Sequence, residues 1–84
     1  VFAISTVNAE IMVETIASTL NVRSYPSISK GAVIYSLPKG SVASVIERDG
    51  PWVQIIFLSY DTPRVIKEGW ISSKYTQLLE QKDS

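Results

Sequence analysis

The chain has 84 residues, of which 45% are hydrophobic and 19% charged, and its eight basic and eight acidic side chains cancel. That length allows one domain, burying roughly 60–65% of the surface its unfolded form exposes, and the composition excludes disorder, which needs lower hydrophobicity and larger net charge. Charges scattered in this way give no electrostatic footprint for a nucleic-acid backbone or an anionic membrane.

Without cysteine there is neither a disulfide framework nor a thiolate metal site, which leaves the redox compartment open and is compatible with bacterial export. The longest apolar run, residues 53–58, is interrupted by Gln54 and falls far below the ~20 residues a membrane helix needs. The first residue is Val rather than Met, so the chain reads as a processed or excised piece, separated from a signal peptide or neighbouring domains.

In chain order, residues 1–8 carry no clear period and read as an extension or linker. Residues 9–18 mix helix formers (Ala9, Glu10, Met12, Glu14) with strand formers (Ile11, Val13, Thr15, Ile16). Ile11, Val13 and Thr15 fall on one side at period two, and no continuous apolar stripe supports a helix, so a strand is expected. From Leu20 the alternation is cleaner: Leu20 and Val22 point one way and Asn21 and Arg23 the other, until Tyr25-Pro26-Ser27 breaks the ladder by removing a backbone donor.

A long loop follows, then an apolar run over residues 33–37 ended by Pro38-Lys39-Gly40, where Gly40 can supply the positive φ of a tight turn. The next strand covers residues 41–48. Asp49-Gly50-Pro51 punctuates a hairpin, because Asp and Gly suit its turn and Pro cannot continue a central ladder. Residues 52–58 form the following strand, 59–67 a loop, and 68–71 another strand. Ser72-Ser73-Lys74-Tyr75 reads as a turn or single 3₁₀ turn before a last short strand over 76–79, with residues 80–84 as a tail. About five or six short strands without an amphipathic helix indicate an all-β barrel or sandwich.

Leu20-Asn21-Val22-Arg23-Ser24, Pro26-Ser27, Leu37-Pro38-Lys39-Gly40-Ser41, Asp49-Gly50-Pro51-Trp52-Val53 and Gly69-Trp70-Ile71-Ser72-Ser73 stand in this order along the chain. The series resembles the bacterial Src-homology-3-like (SH3b) family over residues 9–79, by order and spacing rather than by any one motif. The chain departs from the family in two places: Tyr25 stands where a Gly is usual, and the stretch from Trp52 to Gly69 is longer than usual. The resemblance implies a five- to six-stranded, partly open SH3-like barrel. It also implies a non-catalytic part of a larger exported or cell-wall protein, extracytoplasmic, binding peptidoglycan or a protein partner.

Trp52 is the leading candidate binding residue. Val53, Ile55 and Phe57 make the better inward set, which leaves the indole outside to pack peptide backbones or sugar faces. The alternative is that Trp52 caps the barrel end. Tyr75 follows the last long strand, where the family can place an aromatic beside the ligand face; a core-edge Tyr with a wet hydroxyl is the competing reading. Tyr25 and Tyr35 join the same surface if the loop after Arg23 folds back, and Arg23 offers a bidentate partner for a stem-peptide carboxylate or forms an intramolecular pair. Trp70, between Gly69 and Ile71, reads as structural.

Catalysis lacks its parts. The chain has no His and no Cys, its carboxylates are scattered without a converging motif, and no phosphate-binding Gly-rich loop or zinc ligand set is present. No enzyme activity, cofactor or metal is therefore expected. The readings that remain are wall targeting of an attached domain, protein interaction or regulation, and a structural role in which residues 1–8 add an edge strand to a second copy. A monomer is the default.

Overall fold

The computed structural model describes residues 11–79. Seven strands, β1 (Ile11–Thr15), β2 (Thr19–Arg23), β3 (Val33–Pro38), β4 (Val42–Asp49), β5 (Trp52–Leu58), β6 (Ile66–Ser72) and β7 (Thr76–Leu78), form one antiparallel sheet, with a 3₁₀ turn at Ser73–Tyr75. The order is β3-β2-β6-β5-β4-β1-β7. The class is all-β, as the alternation implies, and the count is seven rather than five or six, with β1 and the three-residue β7, both expected as strands, pairing into the same sheet. The expected extension over residues 1–8, its edge-strand role and the tail over 80–84 lie outside the described residues.

Every strand except β7 sends a side chain into one core, made of Val13, Leu20, Val22, Leu37, Ala43, Val53, Ile55, Phe57 and Ile71. A flat sheet could not bring strands this far apart in the order around a single cluster, so the sheet twists and curls on itself while its edges β3 and β7 stay unpaired with each other. β5 shows the pleat plainly: Val53, Ile55 and Phe57 are 4%, 0% and 5% exposed, whereas Trp52, Gln54 and Ile56 between them are half-buried on the outer side.

The turns follow their residues. Asp49 and Trp52 are directly paired, so the hairpin loop is Gly50-Pro51, and Gly50 at φ 60° followed by Pro51 has the φ signs of a type II′ turn. Gly40, at φ 86°, supplies the positive φ at the second central position of the turn before β4, in which the Ser41 N–H donates to the Pro38 carbonyl at 3.2 Å. β4 carries a bulge between Val45 and Glu47, which leaves Ile46 unpaired and exposed and puts Asp49 on the outer face beside Trp52.

Thr15 is buried and knits β1 to that turn. Its Oγ1 donates to the Pro38 carbonyl at 2.9 Å and accepts from the Ser41 N–H at 3.0 Å. Gly69 has no room for a side chain, because an added Cβ would run into Val22 Cγ1 and come within 3.1 Å of the Arg23 carbonyl. β6 starts two residues earlier than the sequence suggests, since Ile66 and Lys67 pair with Leu58 and Phe57. The remaining excursion is closed at its neck, where Ser59 N–H donates to the Val65 carbonyl and the Val65 N–H to Ser59 Oγ.

Candidate binding groove

β2 and β6 touch at one pair, Arg23 opposite Trp70, whereas β5 and β6 pair over their whole length. Continuing the β2–β6 register would set Asn21 against Ser72 and Thr19 against Lys74. The strands instead diverge, and these four residues line an open groove of about 590 Å³, within the range of small-ligand sites. One wall is β2 with Ile28 reaching over from the following loop; the other is Pro51, Trp52 and Tyr75. Ala17 and the buried Leu20 complete the lining.

Each wall is held by a few bonds. The 3₁₀ turn that presents Lys74 and Tyr75 is anchored by the Ser73 N–H to the Pro51 carbonyl at 2.9 Å, and by Thr76 Oγ1 to the Ser73 carbonyl at 2.8 Å. Lys74 Nζ lies 5.1 Å from the Tyr75 ring centroid, a cation–π distance. Across the groove, Arg23 Nη1 donates to the Gly31 carbonyl at 2.9 Å and more weakly to that of Ile28 at 3.5 Å. The loop is further closed by Ser24 N–H to the Ala32 carbonyl and Ala32 N–H to Ser24 Oγ. Ile28, held there, is 73% exposed.

The groove brings Trp52, Tyr75 and Arg23 together. Trp52 is half-buried outside the core cluster, with Asp49 and Ser72 as cross-strand neighbours. Tyr25 and Tyr35 do not join it. Tyr25 is exposed in the loop and takes an ordinary negative φ, so the missing family Gly is met by a different turn, closed by the Ser27 N–H to the Tyr25 carbonyl. Tyr35 packs on Phe57 with centroids 5.3 Å apart, and its hydroxyl accepts from the Tyr60 N–H at 2.7 Å. Lys67 Nζ sits 5.6 Å from its ring. That cluster braces the 59–65 excursion.

Sequence reasoning singled out neither Ile28 nor Lys74. Ile28 carries a signal, an isolated apolar residue between Ser27 and Ser29, and Lys74 stands beside an aromatic already singled out. Trp70 points away from the core, opposite Gln54, and lines no part of the groove. Among the described residues no cluster of acids could hold a metal ion, and no helix is long and apolar enough to cross a membrane.

A curled seven-stranded sheet with a groove between a long loop and a 3₁₀ turn defines a small domain of the SH3-like class. The family model described as "Bacterial SH3 domain" matches residues 18–77, and the chain belongs to that family. It is similar to the Bacillus subtilis (strain 168) protein named "Putative N-acetylmuramoyl-L-alanine amidase YrvJ", at 40% identity over 65 residues, which cover 74% of this chain and 11% of that protein. The chain thus spans about a tenth of that relative's length. No solved structure gives a significant match.

Proposed function

We propose that this domain is a non-catalytic binding module of an extracytoplasmic bacterial protein, and that it concentrates an attached domain at the cell wall by gripping peptidoglycan peptide, stem or cross-bridge. The observation that carries this reading is the open groove in which Trp52, Tyr75 and Ile28 offer apolar surface beside the polar side chains of Asn21, Arg23 and Ser72. An extended peptide suits such a site, because aromatic faces pack its backbone while flanking donors set its register. Membership of the bacterial SH3 family and similarity to a protein named as an amidase support the wall as the source of the peptide.

The test is co-sedimentation of the purified 84-residue chain with insoluble peptidoglycan sacculi. Pelleting that folded Trp52→Ala loses supports wall binding through this groove, and no pelleting with sacculi of several chemotypes overturns it.

A second reading, docking on a protein partner or on a catalytic domain of the same chain, is favoured by another surface. Ile11 and Leu78, at 53% and 73% exposure, border a second groove with Val45 and Thr76. Loss of a protein contact on Leu78→Ser, with sacculus binding unchanged, would assign that surface to it.

A further inference from the structure

We propose that the groove selects peptides by their free carboxylates, with Arg23 reading one from the loop side and Lys74 another from the 3₁₀ turn. The inference rests on the wall-binding reading and names the chemistry recognised there. The chain as a whole is neutral, with eight cations and eight anions. The groove is not: Arg23 and Lys74 line it and no Asp or Glu does.

The acids on the neighbouring strands share the outer face but stand outside the groove lining. Asp49 lies on β4, on the side of Trp52 away from β6 and β2, and Glu68 Oε2 accepts from Gln54 Nε2 at 2.9 Å. A cationic groove in a neutral protein is a local field that the net charge conceals, and it favours an anionic occupant.

The state of the two cations makes the field usable. Arg23 spends Nη1 on the Gly31 and Ile28 carbonyls, and among the described residues its Nε and Nη2 have no hydrogen-bond partner. The guanidinium is thus held in place by neutral acceptors that leave its charge uncompensated, with N–H donors remaining for a carboxylate. Lys74 Nζ is held over the Tyr75 ring and makes no hydrogen bond among the described residues. Arg23 sits where β2 meets β6 and Lys74 where the strands have parted, so the two residues are set apart along the groove. An extended peptide bearing carboxylates along its length complements that spacing; a neutral glycine bridge does not.

The experiment uses sacculi stripped of teichoic acid, so that phosphate is not the anion, either native or with their carboxylates capped as glycinamide. We expect the 84-residue chain to bind native sacculi about ten-fold or more tightly than capped ones, the loss of roughly one charge-assisted contact. Lys74→Gln, which removes a charge but no side-chain hydrogen bond among the described residues, should weaken binding to native sacculi by a larger factor than binding to capped ones, and an equal loss on both overturns the reading of a carboxylate by Lys74. Equal binding to native and capped sacculi overturns the carboxylate inference and leaves wall binding standing. Binding to neither overturns both.

Discussion

Arg23 Nη1 donates to the carbonyl oxygen of Gly31 at 2.9 Å, and this bond spans the loop that forms one wall of the groove. The last residue of β2 and a glycine two residues before β3 are thereby fastened together, with Ile28 held between them. Gly31 is buried, and a Cβ there would run into the Tyr25 and Ser27 carbonyls, so the glycine is what allows the loop to close. The Gly31 N–H completes the closure by donating to the Ser27 carbonyl.

Arg23→Ala should therefore loosen residues 24–32 before it unfolds the domain. We expect a stability loss of about 0.5–1.5 kcal/mol, the ordinary net worth of such a bond, and faster amide exchange at Gly31 and Ala32. Exchange in the loop indistinguishable from the parent would show that the guanidinium does not hold it.

Trp52→Ala removes surface from the groove without opening the core, because the indole lies outside the buried cluster. Binding of a soluble peptidoglycan fragment should weaken by about 1–3 kcal/mol, while the chain keeps its far-ultraviolet circular dichroism. Calorimetric titration checks this, and unchanged affinity in a folded variant would exclude Trp52 from the site.

Ile55→Ala acts on the core. Ile55 is fully buried at the centre of β5, and truncation leaves a cavity that should cost about 2–5 kcal/mol, a large share of the stability of so small a domain. Ile46→Ala, at the exposed bulge of β4, should cost little by comparison. Denaturant unfolding of the pair measures the contrast.

Gly69→Ala forces a methyl group toward Val22 Cγ1, the Arg23 carbonyl and Ile34 Cδ1. Overpacking of this kind costs about 1–3 kcal/mol. Because Gly69 precedes Trp70, the partner of Arg23, the strain falls on the single β2–β6 pair. A thermal midpoint matching the parent would show that β2 yields freely at this point.

Thr15→Val keeps shape but takes away the hydroxyl that bridges Pro38 and Ser41. The Pro38 carbonyl keeps Ser41 Oγ as a donor at 2.6 Å, and the Ser41 N–H, having lost Thr15 Oγ1, keeps only its longer bond to the Pro38 carbonyl at 3.2 Å. A loss of about 0.5–1.5 kcal/mol in chemical unfolding is expected, the net worth of one hydrogen bond.

The sequence by itself determined the strands and their faces wherever alternation ran unbroken. Val53, Ile55 and Phe57, like Leu20 and Val22, are buried as their period-two spacing requires, since successive side chains in a strand must point to opposite sides. The hairpin at Gly50 and the turn at Gly40 were legible for a similar local reason, a glycine at the one position that needs positive φ. The 59–65 excursion was legible only as an interruption: its closed neck at Ser59 and Val65 involves a buried hydroxyl that periodicity does not mark.

Only the tertiary structure decided which aromatics share a surface. Trp52 and Tyr75 come together because β6 runs beside β5 and leads into the 3₁₀ turn, while Tyr35 is carried by the edge strand β3 to Phe57 and the excursion. The groove itself arises where β2 leaves β6 after one pair. Pairing and parting of strands distant in sequence depend on how the whole sheet curls around its core, and local alternation carries no information about that curl.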